Sequence, residues 1–225
     1  MDLFLALFAG LAAVPVAAAH LVSVAAAQRY RDQVSRSGLS GAEIATYILR
    51  SKLRQGIRLE SGRSPLGRAV WASGTLRLEP GIHQGRHLWA FAWAAQGAGH
   101  GLRPKSFWPV RRFWVRTLAP VLAWVGVFLL ILAWTSGAIS PAWGCALWTL
   151  ACVALAAEVP GEIQAATKAV QRLAGSGLVE SKEEDLAIKT VLFAACLEPL
   201  TLILGWGRLK ALWDKPPAGK AKSAA

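Results

Sequence analysis

Acidic charge is what this 225-residue chain has least of: 13 Asp and Glu stand against 25 Lys and Arg. All charged residues together make up 17%, below the ~25% of ordinary soluble chains. A disordered chain needs abundant charge and few apolar residues, so disorder throughout is excluded. A coiled coil, with its charged outer positions, is excluded as well. Glycine shows no three-residue period, which rules out a collagen-like fibre. Cysteine is also scarce. Cys145, Cys152 and Cys196 lie in apolar runs without metal-ligand or disulfide-framework spacing. They read as small apolar side chains in reducing or lipid surroundings.

What is present is apolar. Hydrophobic residues reach 54%, eleven of the residues are Trp, and the mean hydropathy is +0.39. Indole suits the headgroup level of a bilayer, so a purely soluble globule does not fit. Residues 3–28 carry no charge and are long enough to span. A cleaved signal peptide would want a basic start, whereas here Asp2 follows Met1, so an uncleaved helix is expected. Residues 117–157 are also free of charge. Ser136-Gly137 and Ser140-Pro141 divide them into a tight hairpin of spans, 118–135 and 141–157. A fourth apolar run, 190–207, is broken only by Glu198-Pro199 and reads as a transmembrane or re-entrant helix.

Charge orients these runs. Residues 29–116 hold 16 Lys and Arg against four acids, a surplus as large as the whole chain's +12. Basic segments stay in the cytoplasm, so 29–116 is expected on the cytoplasmic side of the membrane and the N-terminus outside. Four spans then put the C-terminus outside, against the basic residues of the 208–225 tail, which reads as disordered. A re-entrant last helix removes that conflict. Between the spans, 158–189 is expected to be a cytoplasmic helical segment, with 180–185 a solvated helix start.

The 29–116 segment reads as α+β. Ser40 followed by Glu43 is a capping box, and Ile44, Ile48 and Leu49 recur at helical spacing behind it. Residues 57–60 alternate like a strand, and 69–71 with 75–78 form a hairpin around Gly74. A second helix is expected over 86–102. Residues 103–116 mix Arg with Phe and Trp, an interfacial belt with snorkelling cations, and no nucleic-acid partner is expected for them.

This order of elements resembles the bacterial membrane-bound neutral zinc metallopeptidases, a zincin-like family, over about 37–206. The resemblance is carried by Gly38-Leu39-Ser40-Gly41-Ala42-Glu43, by Gly74-Thr75-Leu76-Arg77-Leu78-Glu79, and by Gly85-Arg86-His87. It continues in Ala94-Ala95-Gln96-Gly97-Ala98-Gly99-His100-Gly101, where the family has H-E-x-G-H, and in Pro160-Gly161-Glu162-Ile163-Gln164-Ala165, like its P-x-E-x-N-A. The resemblance implies a mostly α membrane protein of about four transmembrane helices plus a small cytoplasmic α+β zincin-like segment. In H-E-x-x-H, two His on one helix face bind zinc, and the Glu between them takes the proton from the metal-bound water.

The chain departs at the decisive positions. Gln96 stands where the first His belongs and Gly97 where the catalytic Glu belongs, so no catalytic residue is intact. Of the metal ligands, His100 and Glu162 remain, one short of the three of a catalytic zinc site. The family's substrate-side stretch is replaced by residues 65–71. The expectation is a pseudopeptidase that has lost its zinc and serves as a membrane scaffold or regulator. The alternative is an active peptidase with a rearranged site, recruiting His83, His87 or Glu158 as ligand or base. A third reading has the basic segment docking anionic lipid, an acidic partner or another membrane protein. Gly97, Gly99 and Gly101 are open to two explanations, close helix packing or drift. Glu158 and Glu162 could serve a metal or a helix N-terminus. Glu198, the one acid inside an apolar run, is a functional candidate or a hydrogen-bonded structural group.

Overall fold

A computed structural model describes residues 2–53, 56–62, 68–72, 74–103, 108–137, 139–174, 176–179 and 181–204. Helix α1 (Asp2–Tyr30) leads to α2 (Gly41–Leu53). Strands β1 (Arg58–Ser61), β2 (Ala69–Ala72) and β3 (Thr75–Leu78) follow, then α3 (Pro80–His83) and α4 (Leu88–Gly101). The remaining helices are α5 (Trp108–Ser136), α6 (Pro141–Ala156), α7 (Val159–Leu173), α8 (Lys182–Cys196) and α9 (Glu198–Thr201).

The capping box forms at the head of α2. The Ser40 backbone N–H donates to Glu43 Oε2 at 2.7 Å, and the Glu43 N–H donates to Ser40 Oγ at 3.3 Å. That backbone bond first, and then the Ser40 hydroxyl, hold the Glu43 carboxyl below its ordinary pKa. The buried face of α2 is Ile44, Ala45, Ile48 and Leu49, pressed against α4. The sheet has the order β1-β3-β2 among the described residues. The expected hairpin is present: β2 is antiparallel to β3, with Trp71 opposite Leu76. Gly74 makes its turn possible at φ +79, a conformation that costs other residues a Cβ clash. Strand β1 pairs with β3 in parallel.

Two apolar cores result. The first gathers α2, α4, α7, α8, the sheet and the end of α1 (Ala26, Tyr30). The second joins Val16 and Ala19 of α1 to Ala119 and Ala123 of α5, Leu155 of α6, and Leu200 just beyond α8. Between α5 and α6 the backbones nearly touch. A Cβ on Gly126 would stand 2.8 Å from the Gly144 carbonyl oxygen, so larger residues would force the hairpin open.

Three helices among the described residues are long and apolar enough to cross a membrane: Ala9–Tyr30, Val115–Ser136 and Pro141–Leu173. The last runs through a tightened turn at Ala157-Glu158, so α6 and α7 form one bent rod. The expected fourth run behaves differently. Val191, Leu192, Ala194, Ala195 and Cys196 of α8 are buried within the first core, whereas Leu200, Leu202 and Ile203 join the second, beside residues of α1, α5 and α6. The helix then turns at Leu197, and α9 begins at Glu198-Pro199. The head of α8 is also not simply solvated. Ser181 caps it, and Glu184 is buried, its Oε1 accepting from Ser35 Oγ at 2.7 Å and from the Arg36 N–H at 3.2 Å. The side chains of the expected belt at 104–114, residues 63–67 of the replaced stretch, and the 208–225 tail lie outside the described residues.

Candidate functional site

Helix α4 is buried along almost its whole length, between the sheet on one side and α7 and α8 on the other. Its N-terminus is capped by His87, whose Nδ1 accepts from the Ala90 N–H at 3.1 Å. Acceptance requires neutral imidazole. Burial first, and then the Arg31 charge, push the His87 pKa below its ordinary 6.5. A lowered pKa means that the unfolded chain binds the proton more readily, so this contribution is complete above pH 6.5 and shrinks as pH falls through the folded value. His87→Asn, which caps without titrating, is expected to flatten that part of the decline in melting temperature measured between pH 7.5 and 5.

The three glycines of α4 each admit a neighbour. A Cβ on Gly97 would stand 2.8 Å from Ala69 Cβ and 3.2 Å from Leu76 Cδ1. Gly101 receives the ring of Trp71, and Trp71 Nε1 donates to the Gly97 carbonyl at 2.6 Å. On the other side, a Cβ on Gly99 would fall on the Ala165 carbonyl oxygen of α7. Close packing thus accounts for all three positions. The sheet side is also where the substrate-side stretch has changed. Ala69 and Trp71 lie against α4, and the Arg68 guanidinium stacks over Trp89 and Trp93 at 4.9 and 5.2 Å from the ring centres.

On the α7 side, Gln96, His100 and Glu162 come together as the sequence reading placed them. Gln96 Nε2 donates to Glu162 Oε2 at 2.9 Å and to its backbone carbonyl at 3.0 Å. His100 Nε2 lies 2.7 Å from the same Oε2. Arg116, which the sequence reading left among the belt residues, reaches in from α5. Its Nη2 donates to Glu162 Oε1 at 2.7 Å, and its Nη1 lies 3.6 Å from Glu198 Oε2. All these side chains are almost fully buried. A residual signal for Arg116 existed: it is the last charge before a 41-residue uncharged run, and Glu198 is the acid isolated in another. Arg103 and Lys168 brace the same contact, donating to the carbonyls of Gly161 and Leu102, each at 3.2 Å.

The other expected ligands stand at three separate places in the fold. His87 caps the far end of α4, thirteen residues from His100, about 20 Å along a helix. His83 ends α3. Glu158 is buried one turn before Glu162, at the joint of α6 and α7. Cys196 lies near Gln96 and Glu162. Even so, no three His, Cys, Asp or Glu among the described residues form a group able to hold a metal ion.

A family model described as putative neutral zinc metallopeptidase matches residues 4–202. The chain belongs to this family. No curated protein and no solved structure matches it. The family implies zinc, but the donors present do not fit it. Two ligand atoms on a tetrahedral zinc with ~2.0 Å bonds stand about 3.3 Å apart, whereas His100 and Glu162 meet at 2.7 Å, a hydrogen bond. Glu162's other oxygen is held by a guanidinium.

Proposed function

We propose that this family member is a multi-pass membrane protein without peptidase activity, serving as a scaffold or regulator that holds other membrane proteins. The observation that carries the reading is the filled space at Gly97. The family's general base would have to emerge where Ala69 and Leu76 pack, and glycine itself has nothing to accept a proton. Membrane insertion is supported by the three apolar helices and by their outward residues, among them Leu11, Leu118, Val125, Phe128 and Val153, all exposed. Trp134 and Trp143, at the tip of the α5–α6 hairpin, are 90% and 67% exposed, as suits indoles at a headgroup layer.

Three spans rather than four also remove the charge conflict. With 29–116 in the cytoplasm of a bacterial inner membrane, the hairpin crosses out and back. Residues 158 onward, including the basic tail, then end on the cytoplasmic side as the positive-inside rule asks. The rearranged-peptidase alternative loses one of its recruits, because His87 caps the end of α4 opposite His100. The docking reading retains some: Arg31, Arg36, Arg50, Arg58 and Arg86 are all exposed, and binding to anionic vesicles that weakens with salt would express it.

The test is proteolysis by the purified full chain in detergent with added zinc, on casein and on quenched fluorescent peptides. No turnover above that of His100→Ala is expected. Zinc-dependent cleavage abolished by His100→Ala would refute the proposal.

A further inference from the structure

We infer that Arg116 occupies the electrostatic place of the metal, so that the Glu162 carboxylate is compensated without zinc and the site excludes it. This deepens the reading just given and rests on it for its biological meaning. A buried carboxylate needs a compensating charge or a full set of hydrogen bonds. In a zinc peptidase the divalent ion supplies that charge. Here the Arg116 guanidinium supplies it, with one nitrogen 2.7 Å from Glu162 Oε1 and another 3.6 Å from Glu198 Oε2. The second Glu162 oxygen is occupied by Gln96 and His100. Both oxygens of the surviving ligand are therefore engaged by protein donors, and a divalent cation arriving there would meet a fixed positive charge.

The arrangement also joins separate parts of the chain. Arg116 stands at the start of the α5 span, Glu162 on α7 and Glu198 at the head of α9. Where a metal's charge would activate water, the Arg116 charge instead fastens the membrane hairpin to the α4–α7 pair. Gln96 holds the same carboxylate from the α4 side. Its amide donates to both an oxygen and the backbone carbonyl of Glu162, and it needs no metal to do so.

The experiment measures zinc per chain by mass spectrometry, and melting temperature with zinc or chelator, in detergent-purified full-length protein. Wild type is expected to hold no stoichiometric zinc and to melt at the same temperature under both conditions. Arg116→Ala is expected to melt lower in chelator, to recover with zinc, and to take up about one zinc per chain, uptake that the additional change Glu162→Gln removes. Arg116→Lys, which keeps the charge, is expected to stay close to wild type and metal-free, and it covers the case in which Arg116→Ala does not fold. About one zinc per wild-type chain, lost in His100→Ala, would overturn the inference. So would an Arg116→Ala protein as stable in chelator as wild type. Zinc uptake by wild type without proteolysis would overturn this inference alone; proteolysis without bound metal would overturn the proposed function alone.

Discussion

Gly97→Glu, which writes the missing carboxylate back into α4, is expected to destabilise the core around α4 rather than to restore hydrolysis. The new side chain would start 2.8 Å from Ala69 Cβ and 3.2 Å from Leu76 Cδ1, with Leu78 Cδ2 at 3.5 Å. Overpacking of this kind costs ~1–3 kcal/mol, and an uncompensated buried carboxylate adds several more. A loss of about 4 kcal/mol or more is therefore expected, because β2 must leave α4 before the charge can reach water. The Trp71 bond to the Gly97 carbonyl would be lost with it. Gly97→Ala separates the two causes. It gains ~1 kcal/mol of helix propensity and places its Cβ against the same three atoms, but it buries no charge, so its loss is expected to be well below that of Gly97→Glu. Thermal melting in detergent, followed by limited proteolysis within residues 63–73, reads both variants. A Gly97→Glu protein as stable as wild type would show that the sheet does not close this face. Adding Gln96→His is expected to leave hydrolysis absent, since the second histidine does nothing to clear the sheet from the position of the base.

Gly99→Val is expected to be nearly as damaging on the opposite face. There the obstacle is the Ala165 backbone carbonyl, with Ala169 Cβ at 3.3 Å behind it, and backbone yields less readily than a side chain. Helix α7 would have to back away, taking Glu162 from Gln96 and His100. A destabilisation of about 3 kcal/mol or more is expected. The mechanism has its own signature in a double-mutant cycle with Glu162→Gln. Because both changes break the same contact, their joint cost should fall short of the sum of the two by ~1 kcal/mol or more. Strict additivity would mean that the Glu162 network does not depend on the α4–α7 approach.

The sequence reading succeeded where the signal was local. The capping box at Ser40 and Glu43, the hairpin around Gly74 and the α5–α6 hairpin are written in a few adjacent residues, and each forms. Gln96, His100 and Glu162 were brought together only because a family pattern connected 96–100 to 162. What was not legible depended on contacts distant in the chain. The parallel pairing of β1 with β3 leaves no periodicity, since a strand of four residues reads the same whichever neighbour it finds. The division of the apolar run from 190 between the two cores was not legible, because burial against α4 and α1 selects the same residue types as lipid does. Glu184 looked solvated because its donors, Ser35 and the Arg36 backbone, lie nearly 150 positions earlier. Arg116 was hidden by its company: among basic and aromatic neighbours it resembled one more snorkelling cation.

The continuity of α6 and α7 has a consequence of another kind. The rod from Pro141 to Leu173 holds 33 residues, about 50 Å of helix, of which the bilayer core takes ~30 Å. With the apolar part in a bilayer, as proposed, the remainder would project from it and carry Glu162. Successive helical residues are rotated by about 100°, so one residue inserted between Ala157 and Glu158 would turn Glu162 away from Gln96 and Arg116 without shortening anything. The angular setting of α6 is thereby the angular setting at which α7 presents the Glu162 carboxylate to α4. Whatever twists the hairpin, whether a thicker bilayer or another helix leaning on it, reaches the other end of the rod as a change of phase.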